Sequence, residues 1–447
     1  MNNIRIVAWG GLAALSLLWL VSQSWTPMPS AFFAWRNVMV QYSGVIAMGA
    51  MSLAMILALR PSRPEGWLGG LDKMYRLHKW LGIGALVFSL AHWLWAKGPK
   101  WAVGWGWLER PQRGPRAPID NVIEQFFSGL RGVAESVGEW AFYGAALLIV
   151  VALVKLVPYR WFHKTHRLLA VAYLVLVFHT VVLTSFGYWT QPLALALVPL
   201  LVGGTWAALV VLTGRVGRAR QVGGSISALR YFPGVRVLAV DIQVGSDWPG
   251  HRAGQFAFAM SDAAEGAHPY TIASAWNPTE PKVAFVVKEL GDHTRCLREK
   301  LKPGQRVRVE GPYGCFTFDD DCPLQIWIGG GIGITPFIAR MQHLAALPPS
   351  ERGARQVHLF HTTAEVDEDA LAQLRADATA AGIVLHILID SRDGRLDGAK
   401  IRAAVPDWKQ ASLWFCGPAR FGQALRRDFI AGGLAGERFH QELFAMR

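Results

Sequence analysis

Residues 78–92 read HKWLGIGALVFSLAH, and residues 166–179 read HRLLAVAYLVLVFH. Each is an apolar run bracketed by histidines: thirteen residues separate His78 from His92, and twelve separate His166 from His179. An ionisable ring in such a run costs free energy to bury, so it marks a functional position. A helical rise of about 1.5 Å per residue puts about 20 Å between the two rings of each run. At 100° per residue, His92 returns to within about 40° of the face of His78. His179 falls roughly 140° from His166, so its helix needs a kink, a π-bulge or side-chain reach.

Outward from these runs, six apolar stretches have the roughly 20 residues that a membrane crossing requires. They lie near Val7–Ser24, Val38–Leu59, Lys79–Trp95, Trp140–Leu156, Leu168–Phe186 and Leu193–Leu212. The first is read as a retained helix rather than a cleaved signal. Fifteen of the 20 Trp precede residue 210, as interfacial belts require. The net charge of +13 is concentrated in short breaks between apolar runs: Arg60, Arg63, Lys73, Arg76 and Lys79; Lys155, Arg160, Lys164 and Arg167; Arg215, Arg218 and Arg220. That is the positive-inside pattern, and it sets aside a nucleic-acid partner. It puts both termini on the cytoplasmic side of an inner membrane and makes Lys97–Glu139 a long external loop. The apolar fraction of 52% excludes disorder. Cys296, Cys315, Cys322 and Cys416, with no CxxC pair, support neither a zinc finger nor a cysteine-held iron–sulfur cluster.

With six crossings, the third and fifth helices run in the same direction. His78 and His166 then share the cytoplasmic level, and His92 and His179 share the outer one. Two imidazoles from different helices at each level suit bis-His ligation of two b-type haems, with His163 in reserve for the inner site. With both axial positions filled, each haem is an electron carrier.

Beyond Arg220 the pattern changes. Short alternating strands (Ser225–Leu229, Arg236–Gln243, Gln255–Met260, Lys282–Val287, Arg306–Glu310) read as an antiparallel β-barrel. From Leu324, apolar strands alternate with helical segments: Gln325–Gly329, Ile338–Leu347, Gln356–His361, Ala370–Ala381, Ile383–Asp390, Ser412–Cys416 and Ala419–Ala431. This predicts a parallel α/β sheet. The chain thus divides into a six-helix membrane domain (1–218), a barrel domain (219–320) and an α/β domain (321–447).

Four motifs follow in order along this half. His268-Pro269-Tyr270-Thr271-Ile272-Ala273-Ser274 ends a strand and offers a ring for a flavin, a hydroxyl for its N5 and donors for phosphate. Gly291-Asp292-His293-Thr294 opens a helical stretch suited to a pyrophosphate. Gly329-Gly330-Gly331-Ile332-Gly333-Ile334-Thr335-Pro336 follows an apolar strand and opens a helix, a phosphate-cradling arrangement. Cys416-Gly417-Pro418 caps a late strand.

Together these resemble the ferredoxin–NADP reductase family over residues 219–447. HPYTIAS is similar to its FAD motif, Gly311-Pro312-Tyr313-Gly314 to its interdomain turn, GGGIGITP to its pyrophosphate loop and CGP to its nicotinamide-side motif. His268, at a position commonly Arg in that family, resembles the NADPH oxidase and ferric reductase branch. Residues 1–215, with their four histidines, resemble the transmembrane domain of the same branch. The resemblance implies catalytic roles for Thr271 and Cys416, and for Glu442 and Phe444 as a terminal acid and a flavin-stacking aromatic. It implies a 2′-phosphate contact at Ser391 and Arg392, assisted by Arg395, and so NADPH, with NADH the alternative because Asp390 and Asp393 flank them. It implies electron flow from NADPH through FAD and two haems to O2, to a ferric chelate, or to a periplasmic partner or quinone. Arg36, near the outer end of the second helix, is expected beside the outer haem, facing its propionates or the acceptor.

Overall fold

The computed structural model describes residues 2–23, 31–110, 119–154, 159–262, 265–348, 350–351 and 355–442, without the side chains of residues 2, 159, 160, 163 and 292. It separates into two compact units, residues 1–68 with 73–216, and residues 69–72 with 217–446.

The first unit is helical: α1 (Asn2–Val21), α2 (Phe32–Ala58), α3 (Arg63–Leu68), α4 (Leu71–Gly104), α5 (Val122–Leu153), α6 (Tyr159–Leu183) and α7 (Ala194–Leu212). Five of these (α1, α2, α5, α6, α7) are long and apolar enough to cross a membrane. The third expected crossing lies inside α4, whose uncharged centre, residues 80–96, is flanked by Lys79 and Lys97. The outward faces suit lipid: Leu195 is 79% exposed and Trp140 74%. The buried face of α2, from Val45 to Met51, meets the small-residue face of α7, where Gly204 sits against Ser52 and Tyr173.

The long external loop expected over Lys97–Glu139 is largely helical. α4 continues to Gly104, and α5 begins at Val122. The cause is local: Asn121 caps α5, its side chain accepting from the N–H groups of Ile123 (2.9 Å) and Glu124 (3.2 Å). The segment that follows holds no proline and continues as helix through Gly129, Gly132 and Gly138.

The second unit holds two sheets. β1 (Gln221–Phe232), β2 (Val237–Val244), β3 (Phe256–Met260), β4 (His268–Thr271), β5 (Lys282–Lys288) and β6 (Arg306–Tyr313) form an antiparallel sheet in the order β4-β3-β6-β1-β2-β5. Its outer strands approach each other through a bridge between Ile272 and Phe285. Alternate residues such as Ile226, Leu238, Val240 and Val309 fill its interior. α8 (Asp292–Arg295) and α9 (Leu297–Lys300) follow β5. The parallel sheet comprises β7 (Leu324–Gly330), β8 (Gln356–Thr363), β9 (Val384–Ile389), β10 (Ser412–Cys416) and β11 (Phe439–Gln441), ordered β11-β10-β7-β8-β9. Helices α10 (Thr335–Ala346) and α11 (Glu368–Ala381) cover one face, and α13 (Gly398–Ala404) and α14 (Ala419–Ala431) the other. The short α12 (Asp390–Asp393) turns the chain after β9. α12, α13 and β11 had no sequence expectation, being only three to seven residues long.

The strand order reverses around β7: the chain steps outward to β8 and β9, then returns to the opposite side of β7 as β10. A crevice opens at such a switch point, outside the carboxyl ends of the strands, and ligands of α/β sheets bind there.

Candidate functional site

The four intramembrane histidines come together as two pairs. The His78 and His166 ring centroids lie 5.9 Å apart, and those of His92 and His179 lie 6.2 Å apart. Two imidazoles on opposite sides of one metal, with metal–nitrogen bonds of about 2 Å, put their ring centres roughly 6 Å apart. Three of the rings are oriented by backbone carbonyls. Nδ1–H donates to Ala54 O from His78 (2.8 Å), to Val40 O from His92 (2.9 Å) and to Ala134 O from His179 (2.8 Å). That bond selects the tautomer in which Nε2 is the lone-pair nitrogen, the arrangement that metal-ligating histidines use. His166 instead lies stacked on Phe162, 5.1 Å between centroids. α6 is α-helical throughout, without the expected π-bulge, and side-chain reach brings both of its histidine rings to those of α4. The reserve candidate, the side chain of His163, lies outside the described residues.

His92 and His179 line a cavity of about 840 Å³, within the range of cofactor and ligand pockets. Arg36 lines it too, its guanidinium donating to Asn37 Oδ1 and Ala96 O at 3.0 Å each. Lys97, Lys100 and Arg131 add further cations to the wall, with Glu135 and Glu139 among them. Lys97 Nζ and Tyr143 Oη both donate to Glu139, each at 2.7 Å. Two glycines make room for the rings. A Cβ at Gly44 would stand 3.2 Å from His92, and one at Gly138 would collide with Nδ1 of His179. Sequence reasoning missed Gly44, Lys97, Gly138 and Glu139. Lys97 and Glu139 are 42 residues apart, and no local spacing connects them.

In the second unit the Gly-rich loop sits at the switch point. Gly331 takes φ +56°, open to L residues only at a cost, and Thr335 Oγ1 donates to Ile332 O (2.8 Å) at the start of α10, where Pro336 follows. Gly329 pairs in register with Cys416. A Cβ on Gly330 would come within 3.0 Å of Pro418, and one on Gly333 would strike the backbone of Cys416 and Gly417 (2.9 Å to Gly417 N). Here glycine permits close approach of two backbones. Cys416 is fully buried, and burial pushes its thiol well above the usual range, so it is a neutral thiol. His361 Nδ1–H donates to Gly329 O (3.2 Å), and burial holds that imidazole down at about 4. Glu442 is buried beside β10, its N–H reaching Phe415 O at 3.4 Å. Phe444 lies outside the described residues.

The flavin-motif residues divide by environment. Thr271 is buried, with no hydrogen-bond partner for its Oγ1. Tyr270 packs on Phe285 (5.7 Å), and Pro269 pairs with Phe258 across β3. Ile272 is buried in the interior of the antiparallel sheet. Ser274 is turned to structure: its Oγ accepts Ala284 N–H (3.0 Å), and its carbonyl accepts from His251 (3.0 Å). His268 stacks on His293 at 3.6 Å, and His293 Nδ1 lies 3.2 Å from Glu265. Thr294 caps its own turn, accepting from Leu290 N and Gly291 N. Ser391 and Arg392 are exposed at the end of β9, with Arg392 joined to Asp393.

Residues 43–177 match the family described as ferric reductase like transmembrane component. That span contains His78, His92 and His166 and stops two residues before His179. Among curated proteins, the chain is 33% identical over 148 residues to the NADPH oxidoreductase of Mycobacterium tuberculosis, and 31% identical over 165 residues to the flavohemoprotein of Bordetella pertussis. Each match takes in 33% of this chain and 38% or 39% of the relative's own length. A solved structure, the ferredoxin reductase in carbazole 1,9a-dioxygenase, aligns at 21% identity with a TM-score of 0.43, over 50% of this chain and 69% of its own.

Proposed function

We propose that this chain is a membrane-spanning oxidoreductase that draws electrons from NAD(P)H and delivers them to an acceptor across the membrane. The observation that carries this reading is the pair of histidine pairs: α4 and α6 each supply one ring at two levels, with ring spacings of 5.9 and 6.2 Å. In this reading residues 1–218 cross the membrane six times, residues 219–320 hold FAD and residues 321–447 hold the nucleotide. The basic breaks support a cytoplasmic side for the second and third of these, at an inner membrane.

The residues fit the groups this function needs. His78 with His166, and His92 with His179, would hold two b-type haems; Arg36, Lys97, Lys100 and Arg131 would pair with the carboxylates of the outer one. Tyr270, the unpartnered hydroxyl of Thr271 and the stacked His268–His293 pair would hold FAD. Gly330 to Thr335 and the Cys416–Pro418 turn would admit the nucleotide's pyrophosphate and nicotinamide. When bound, FAD would accept a hydride and release single electrons, which haem would carry one at a time. The chain's own part is placement. Backbone carbonyls fix the imidazole rings, the glycine-lined crevice lets the pyrophosphate approach backbone N–H groups, and neutral Cys416 walls the crevice without adding charge.

The acceptor is O2, giving superoxide. The cationic wall around His92 and His179 favours a second acceptor, an anionic ferric chelate drawn by charge. The test is anaerobic addition of NADH or NADPH to the detergent-purified chain, then admission of O2 with a superoxide trap, with and without ferric chelate. Flavin bleaching followed by reduction of two low-spin haems is expected. His92→Leu should halve haem per flavin and leave flavin reduction intact. Two low-spin haems in that variant overturn the ligand assignment.

A further inference from the structure

The nucleotide crevice has a second wall, at the carboxyl ends of β8 and β9. From the Gly-rich loop after β7, two strand spacings, roughly 10 Å, lead to β9. The adenosine half of a nucleotide lying on that loop extends in this direction. Thr362 Oγ1 donates to Asp390 Oδ1 (3.2 Å) and links the two strand ends. Arg392, exposed at the same turn, is the cation that a 2′-phosphate would seek.

The structure shows that cation engaged. Arg392 Nε donates to both oxygens of Asp393 (3.0 and 3.2 Å), and Nη2 donates to Oδ2 (2.9 Å), a forked pairing. Asp393 is itself held, because its Oδ2 accepts Ile389 N–H at 2.9 Å. Lys400 donates to the carbonyls of Asp393 (2.7 Å) and Arg395 (2.9 Å). The carboxylate therefore sits on a pinned turn, and α12 carries two acids, Asp390 and Asp393, against one arginine. A dianionic phosphate arriving there meets like charge, while a ribose diol meets acceptors.

We propose that Asp393 is a positioning residue that sets nucleotide preference: it withholds the Arg392 guanidinium from a 2′-phosphate, so the chain takes NADH ahead of NADPH. This rests on the reading of the chain as an NAD(P)H oxidoreductase. Asp393→Asn keeps an oxygen for Ile389 N–H, removes the negative charge and releases Arg392. One charge-assisted contact corresponds to about a ten- to hundredfold change in affinity.

Two measurements on the full detergent-solubilised chain test it. The first is anaerobic flavin reduction by each nucleotide. The second is calorimetric binding of adenosine 2′,5′-bisphosphate against 5′-AMP, which needs no flavin. Wild type should favour NADH and 5′-AMP. Asp393→Asn should shift both ratios about tenfold or more toward the 2′-phosphate, and adding Arg392→Ala should cancel that shift. Arg392→Ala alone should not move either ratio toward the 2′-phosphate. A wild type that prefers NADPH, or ratios that Asp393→Asn does not move, overturns the proposal. If both adenosine ligands bind but neither nucleotide reduces flavin, the parent reading fails, and the calorimetric ratios still decide the role of Asp393.

Discussion

Gly138 offers the sharpest test of the outer histidine pair. An ideal Cβ on Gly138 stands 2.6 Å from Cγ and 2.7 Å from Cε1 of His179. Non-bonded carbons settle at about 3.5–4.0 Å, so Gly138→Ala must drive the ring back by roughly 1 Å. The Nδ1–H bond to Ala134 O, now 2.8 Å, cannot survive that retreat. Its loss is worth about 1 kcal/mol, and the crowding adds about 1–3 kcal/mol. A sum of about 2–4 kcal/mol weakens any ligand held by His179 by roughly thirty- to several-hundredfold. Haem per chain, measured on protein purified in detergent, should fall from two to one while flavin content holds. Gly44→Ala, whose Cβ would stand 3.2 Å from His92, asks for a few tenths of an ångström and should give a partial loss. Gly129→Ala, with nothing within 4 Å on the same helix as Gly138, should change nothing. Two low-spin haems with an unaltered spectrum in Gly138→Ala would refute the reasoning.

Two further outcomes follow from other parts of the chain. His251 and His361 are buried, and desolvation outweighs their carbonyl bonds to hold both at about 4, below the ordinary imidazole value of about 6.5. Because the unfolded chain takes up these protons first, their contribution is complete above pH 6.5. It is lost as pH falls toward 4, by up to about 3 kcal/mol for each residue. Tryptophan-fluorescence melts of wild type should therefore fall steeply over that window. His251→Gln, beside Trp248 and Trp276, should flatten the slope, and parallel slopes would refute the assignment. Arg36→Ala should keep both haems and normal flavin reduction but slow haem reoxidation by the acceptor in rapid mixing. Reoxidation at the wild-type rate would leave Arg36 an interfacial anchor and nothing more.

Much of this chain is written locally. Spacing along a helix places His78 and His92 on one face, alternation marks β2 and β5, and the glycines of the loop after β7 announce a close backbone approach. Each of these depends on residues within a few turns or strands of one another. A local signal was also present at Asn121, whose cap starts α5 seventeen residues before Gly138, although the charges between Lys97 and Glu139 read as a loop. Tertiary structure decided the rest, because those contacts join residues whose separation no local period encodes. The tertiary placement of α4 opposite α6 pairs the imidazoles across the space between the two helices, and the reach of their side chains absorbs the 140° mismatch of His166 and His179. Packing of α5 against α6 makes Gly138 the seat of His179 and brings Ala134 O to its Nδ1. Even for the neighbours Arg392 and Asp393 the fold adds what the sequence does not show: Ile389 N–H and Lys400 hold the end of β9, where the Asp393 carboxylate accepts from the guanidinium.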